Sequence, residues 1–217
     1  MDLIVDQFFN IEIMARAWPI ILRGLGVTAL LCVVVIPLGL AVALVSTVRQ
    51  PLVRWPTVAL VDFFRAIPPL VLLIFVYSGL PFAGLRPSPF AAVCIAFLLN
   101  NSAYYGEIYR AGIESVGRGQ WEAARSTGLG ALQAMTYVVV PQAVRNVLPD
   151  LVSNTVEVVK LTSIASVVAL PELLYSADMA RSLTYNASPI VLAAAIYLAI
   201  LWPVVRLLSR LEHRLGG

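Results

Sequence analysis

Charged side chains are scarce in this sequence of 217 residues. Asp, Glu, Lys and Arg together make up 12% of the chain, about half of the ~25% found in ordinary soluble domains. Hydrophobic residues reach 60%, and the mean hydropathy is +0.88. This balance excludes a soluble enzyme and a disordered chain. It favours an all-α membrane protein with several spans and a single domain over residues 1–217.

Histidine and cysteine are nearly absent. His213 is the sole histidine, so a histidine-based metal or catalytic cluster is excluded. Cys32 and Cys94 both lie in apolar stretches, where cysteine behaves as a small buried hydrophobe. Their spacing supplies neither a metal site nor a disulfide framework. No metal ligands are therefore expected in this chain.

A phosphate-binding loop is also missing. Such a loop needs the pattern G-x-x-x-x-G-K-[ST], whereas Lys160, the only lysine, follows Val158 and Val159 with no glycine nearby. The chain cannot hydrolyse ATP by itself. An intramembrane enzyme would need a nucleophile elbow, an aspartyl pair or a metal cluster, and none is found. We therefore expect no enzymatic activity and no cofactor held by this chain.

Five apolar spans are predicted, over about 20–46, 57–80, 88–108, 151–174 and 189–208. Hydropathy favours the first, third and fifth clearly. The second span contains Asp62, Arg65 and Pro68-Pro69, and two adjacent prolines must interrupt a helix because each lacks a backbone N–H donor. Asp62 and Arg65 are three residues apart and are expected to pair. The fourth span contains Glu157 and Lys160.

Arginines between the spans predict the orientation, because cytoplasmic loops carry an excess of basic residues. With the N-terminus outside and the C-terminus inside, nine arginines fall on the inner side and four on the outer side. The net charge of +3 is thereby explained by membrane topology. No nucleic-acid partner is expected.

The segment between the third and fourth spans, about 109–150, is long for a loop and then lies in the cytoplasm. After Gly117 and Gly119, a short helix is predicted over 120–132. Ala124 and Gly128 are four residues apart, which predicts a helix face without bulk that another surface can approach closely. The alternative is an interfacial helix that only covers the bundle.

The spacing in this segment resembles that of the membrane subunits of binding-protein-dependent ABC importers. Their signature is Glu-Ala-Ala, three residues, Gly, nine residues, Ile, any residue, Leu and Pro. Val138 and Val140 replace the isoleucine and leucine, and the other positions match: Glu122, Ala123, Ala124, Gly128 and Pro141.

Further residues are similar to the polar amino-acid branch of that family, the histidine, glutamine and arginine type. One segment is Tyr104, Glu107 and Arg110, and a second is the run Pro141-Gln142-Ala143. Ala66-Ile67 stands where that branch usually has Gly-Thr, which leaves the identity of the substrate open.

The resemblance implies a type I importer permease in a bacterial cytoplasmic membrane, with a cytoplasmic coupling helix between spans 3 and 4. That helix would dock in a cleft of a separate ATPase subunit, which binds ATP and Mg²⁺. The other implied partners are a second ATPase, a second permease chain (identical or homologous), an extracytoplasmic substrate-binding protein and an amino-acid substrate. The alternative is an ATPase-independent channel or proton-coupled carrier, with Glu107, Glu157 and Lys160 as a relay.

Polar residues inside the spans are candidates for the substrate passage, because charge at membrane depth usually faces a bundle interior or an aqueous cavity. Asn100, Tyr104 and Glu107 fall at i, i+4 and i+7 on the third span. On the fourth, Glu157 and Lys160 are close enough to pair. Both signs together suit a zwitterion. The alternative for each residue is hydrogen bonding that only holds the helices together.

Overall fold

A computed structural model describes residues 2–45 and 51–215 of the chain. Every regular element in these ranges is helical, which confirms the all-α prediction. Ser46, the predicted end of the first span, and Arg49 lie outside the described residues. The α-helices are α1 (Asp2–Phe9), α2 (Ile11–Val45), α3 (Pro51–Ala66), α4 (Pro69–Ile74), α5 (Pro89–Ser115), α6 (Arg118–Ser126), α7 (Ala131–Ala134), α8 (Val140–Leu161), α9 (Leu173–Thr184) and α10 (Ser188–Leu215).

Tighter and wider helical turns extend two of these helices. A π-helical segment, Phe75–Gly79, follows α4, and Leu80–Ala83 adds a 3-10 turn. Another π-helical segment, Met135–Val139, joins α7 to α8, and the 3-10 segment Thr162–Val168 continues α8. Most of the loop predicted over 109–150 is therefore helical. The predicted fourth span ends earlier than 174, because Ala169 takes a left-handed conformation with φ of 55°.

Three helical stretches in the described residues are long and apolar enough to cross a membrane: Leu3–Leu44, Ala131–Val168 and Ser188–Arg210. A fourth is obtained if Trp55–Ala66 and Pro69–Ala83 count as one broken span. Helix α5 is not among them, although it is 27 residues long. Asn100 and Asn101 lower its average hydropathy, and both are buried by neighbouring helices rather than exposed. The number of spans and their orientation stay predictions.

The break in the second span lies where the sequence predicts it. Helix α3 ends at Ala66, α4 begins at Pro69, and the two axes differ by 102°. Pro68 and Pro69 cannot donate the backbone hydrogen bonds that would continue α3. The apolar side chains of α4, Leu72 and Leu73, are buried in the main core. The corner is thus anchored in protein on its α4 side.

Helix α5 lies at the centre of the bundle, against α2, α3, α4 and α8. Phe97 and Tyr105 are fully buried on it, and the Tyr105 hydroxyl is 2.9 Å from Oγ1 of Thr155 on α8. Near its C-terminal end α5 crosses α8 closely. A Cβ added to Gly112 would lie 2.8 Å from Cγ1 of Val147, so only glycine permits this approach. The crossing fixes α5 and α8 relative to each other just before α6.

A buried acid that the sequence patterns did not reveal positions α9. Glu172 is fully buried, and its carboxylate accepts hydrogen bonds from the backbone N–H groups of Leu174 and Tyr175. The Tyr197 hydroxyl on α10 donates to the same carboxylate over 3.4 Å. This arrangement satisfies the free donors of the first turn of α9. An acid directly before an apolar helical run is the signal that could have located this cap.

Candidate coupling surface and passage residues

Helix α6 carries the Glu-Ala-Ala residues, but it is shorter than predicted. It runs from Arg118 to Ser126 rather than over 120–132. Gly128 has φ of +87°, a left-handed conformation that ends the helix and favours glycine. The backbone N–H of Gly128 bonds to the carbonyl of Arg125. Gly128 therefore terminates α6 and does not extend one of its faces.

The two alanines of the motif point in different directions. Ala124 is only 6% exposed, and Trp121 packs against the cluster of Val116, Val139 and Ala143. Glu122 and Ala123 are exposed. The prediction that Ala124 and Gly128 form an open face without bulk is wrong, because Ala124 faces its own chain. The exposed surface of α6 includes Glu122 and Ala123 instead, together with every other residue of the helix except Trp121 and Ala124.

Polar contacts fasten the region around α6 to α8. The side-chain amide of Gln142 donates to Oε1 of Gln120 over 3.2 Å and to the carbonyl of Val138 over 2.8 Å. One turn further along α8, the amide of Asn146 donates to Oγ of Ser115 over 2.8 Å. Pro141, the last residue of the motif, is the second residue of α8, directly after the π-helical segment Met135–Val139. The start of α6 and the end of α5 are therefore both attached to α8.

Asn100, the first residue of the predicted stripe on α5, faces the broken helix. It is 2% exposed, and its side-chain amide donates to the carbonyl of Phe64 over 3.2 Å. In an unbroken helix that carbonyl would accept from residue 68, which is a proline. The carbonyl of Ile67 is a second acceptor at 3.5 Å. Asn100 thus replaces a backbone donor that Pro68 removes.

Tyr104 and Glu107, the other two residues of the stripe, contact Arg65 on α3. The Arg65 guanidinium carbon lies 5.3 Å from the centre of the Tyr104 ring, a cation–π geometry. An Arg65 nitrogen is 3.5 Å from Oε2 of Glu107, and Arg110 is 2.6 Å from the same oxygen. No ion pair joins Asp62 to Arg65 in the part of the chain that is described. That expected pair is wrong, because the approach of α5 offers Arg65 a nearer carboxylate.

Glu157 and Lys160 on α8 form the predicted ion pair. Nζ of Lys160 lies 2.6 Å from Oε1 of Glu157. The two side chains are 50% and 63% exposed, Lys160 being the less exposed. They share no contact with the residues on α5, so the structure does not bring all five candidate passage residues into one cluster. Among the residues described, no group of three or more His, Cys, Asp or Glu is placed to hold a metal ion.

The fold and these sites define an all-helical membrane protein in which a short, largely exposed helix, α6, is attached to α5 and α8. The family described as "Binding-protein-dependent transport system inner membrane component" matches residues 35–217. The chain therefore belongs to this family, the permease subunits of bacterial ABC importers. The resemblance drawn from the Glu-Ala-Ala spacing is thereby confirmed, and a channel or carrier without an ATPase is not favoured.

Relatives and a solved structure agree with this assignment. The "Probable amino-acid ABC transporter permease protein YckA" of Bacillus subtilis is 35% identical over 200 residues, which are 90% of this chain and 88% of the relative. The "Probable glutamine ABC transporter permease protein GlnM" of the same organism is 42% identical over 180 residues, 82% of this chain and 83% of the relative. A chain in the "Crystal structure of an amino acid ABC transporter with histidines" has a TM-score of 0.81 and 35% identity, covering 93% of this chain and 96% of that one.

Proposed function

We propose that this chain translocates a polar amino acid across the bacterial inner membrane. This proposal rests mainly on the similarity of the chain, over most of its length, to permeases named for glutamine and for amino acids. The likeness to an amino acid ABC transporter structure supports the same class of substrate. Energy would come from ATP and Mg²⁺ bound by a separate ATPase subunit.

The proposed assembly contains two permease chains, two ATPase subunits and an extracytoplasmic binding protein that delivers the substrate. Five spans would place the N-terminus outside and the C-terminus inside. They would be formed by α2, the broken pair α3–α4, α5, the stretch centred on α8, and α10. The excess of arginine on the inner side supports this orientation. Helix α6 would then lie in the cytoplasm.

The proposed coupling site comprises Glu122, Ala123, Ala124, Gly128 and Pro141. Glu122 and Ala123 would contact the ATPase, because they are exposed on α6. Ala124 would let α6 pack on its own chain, and Gly128 would end the helix. Pro141 would begin α8, the helix that receives the movement.

The proposed passage contains Glu157 and Lys160, which present both signs of charge and are at least half exposed in the single chain. An amino acid carries an ammonium and a carboxylate, so each of its charged groups finds an opposite charge in this pair. Asn100, Tyr104 and Glu107 contact α3 instead, which favours a role in holding helices together.

Reconstitution tests the function directly. The chain is placed in proteoliposomes with the ATPase and binding protein encoded beside its gene, and uptake of radiolabelled glutamine, histidine and arginine is measured. We expect uptake of at least one of them that requires ATP and stops when the ATPase carries an inactivating substitution. Uptake that continues without the ATPase would instead establish the channel or carrier.

Neutralising the pair on α8 tests the passage. Lys160→Gln and Glu157→Gln are each expected to raise the substrate KM about tenfold or more, because a charge-assisted contact with the substrate is lost. The measurement is uptake rate against substrate concentration. Arg16→Gln is the matched control, since Arg16 also forms an exposed ion pair, with Glu12 on the same helix. Equal KM values in all three variants would contradict the assignment.

A further inference from the structure

We propose that Arg65 is a positioning residue that fastens α3 to α5, with Tyr104, Glu107 and Asn100 as its supports. These four residues are called the α3–α5 clamp below. The proposal deepens the transport function just proposed, because it says how movement of the coupling helix reaches the broken span. It gives the stripe on α5 a role other than contact with substrate.

The clamp acts on the side of the broken span that α4 does not anchor. Leu72 and Leu73 bury α4 in the core, and Phe64 at the end of α3 packs against the same core while polar contacts add a second attachment there. The amide of Asn100 holds the carbonyl of Phe64, and the neighbouring residue, Arg65, reaches Tyr104 and Glu107. Adjacent residues of α3 therefore make two separate attachments to α5.

Arg65 differs from an arginine in an exposed surface ion pair, because it is partly buried and contacts both a ring and a carboxylate. Its Nε atom is buried and has no hydrogen-bond partner among the described residues. The guanidinium is held by the Tyr104 ring and by Glu107, whose side chains belong to a different helix. A planar guanidinium can stack on a ring and pair with a carboxylate at once, which a lysine ammonium does less well.

The charges around the clamp already balance. Glu107 lies between Arg65 and Arg110, and Arg110 also pairs with Glu114 over 2.9 Å. Two positive and two negative groups are thus mutually neutralised. The Asn100 amide is likewise occupied by backbone carbonyls. The contacts of Arg65 and Asn100 join two helices, whereas Glu157 and Lys160 pair within one helix, so the stripe suits holding helices together.

The clamp connects α3 to the coupling helix through α5. Only two residues, Val116 and Gly117, separate the end of α5 at Ser115 from the start of α6 at Arg118. A movement of α6 therefore pulls on α5, and the clamp transmits that pull to α3. Without the clamp, α3 and α5 keep only the apolar contacts of Phe64 with the core, so α3 follows α5 less closely and ATP hydrolysis drives uptake less efficiently.

The first test measures uptake and ATP hydrolysis in the reconstituted complex. Arg65→Gln and Glu107→Gln are each expected to lower the maximal uptake rate per ATP hydrolysed about tenfold while leaving the substrate KM unchanged. The losses in the double variant should be less than the two single losses combined, since both substitutions remove the contact between Arg65 and Glu107. Glu114→Gln is the matched control, because its ion pair lies within α5 and does not reach α3. Additive losses or raised KM values would overturn the clamp.

Substitutions of Tyr104 distinguish a clamp from a substrate passage, and they remain usable if the Arg65→Gln variant does not reach the membrane. Tyr104→Phe keeps the ring and removes the hydroxyl, so normal uptake is expected. Tyr104→Leu removes the ring and should lower the uptake per ATP as Arg65→Gln does. If the phenylalanine variant raises the KM instead, Tyr104 contacts the substrate and the proposal is wrong.

A second readout does not depend on transport. In the purified complex, Arg65→Gln and Glu107→Gln should each lower the Tm by about 2–4 °C, and the double variant should lower it by less than the sum of the two single shifts. Loss of amino-acid uptake in the unsubstituted protein would reject the proposed function and leave this result intact. Unchanged Tm values or additive shifts would reject the clamp.

Discussion

Replacing Gly128 with tryptophan is expected to abolish uptake while the protein still inserts into the membrane. Gly128 has φ of +87°, and residues other than glycine occupy the left-handed region at a cost of ~1–2 kcal/mol. No atom lies within 4 Å of the position a Cβ would take, so the fold of the single chain has room for the side chain. The indole would instead project from the surface beside the exposed face of α6, where the ATPase is proposed to dock.

Two further substitutions separate backbone strain from obstruction. Asparagine adopts the left-handed conformation more readily than other residues, so Gly128→Asn should retain most of the uptake. Gly128→Ala adds strain but little bulk, and an intermediate loss is expected. Uptake is measured in the reconstituted complex, with membrane insertion checked by fractionation. Normal uptake by the tryptophan variant would refute the coupling role of this segment.

Deleting residues 118–130 is expected to release the ATPase from the membrane complex. The segment contains all of α6 together with the turn at Gly128, and with it the exposed Glu122 and Ala123. The measurement is co-purification of the ATPase with the tagged permease from solubilised membranes. A permease that still retains the ATPase in stoichiometric amount would contradict docking at α6.

Because the deletion could also damage the fold, a point substitution on α6 provides an independent test of ATPase docking. Ala123→Trp adds bulk on the exposed side of α6 and should release the ATPase without lowering the Tm of the permease. Ala124→Leu is the matched control on the opposite side. Ala124 is 6% exposed, so a larger side chain there overpacks the contact with the rest of the chain and should cost ~1–3 kcal/mol of stability. Equal effects of the two variants would argue that α6 acts only through folding.

The local features of the fold were predictable because their causes are local. The break at Pro68-Pro69 follows from two missing N–H donors, and the pairing of Glu157 with Lys160 follows from their spacing on one helix. The family could be assigned from the spacing between Glu122 and Pro141, and the comparisons confirm it. Hydropathy was less informative for α5, since a helix surrounded by other helices can carry asparagine in its interior.

The sequence by itself determined that the chain is a helical membrane protein of the importer family and where its second span breaks. Only the tertiary structure decided which partner each polar side chain takes. Arg65 and Asp62 are neighbours on one helix, yet Arg65 pairs with Glu107, because the packing of α3 against α5 brings that carboxylate within 3.5 Å. The same holds for α6, where Trp121 packs against Val116 and Val139, Ala124 is 6% exposed, and Ala123 is left exposed. Helical periodicity places residues on a face, but the neighbouring helices decide what that face meets.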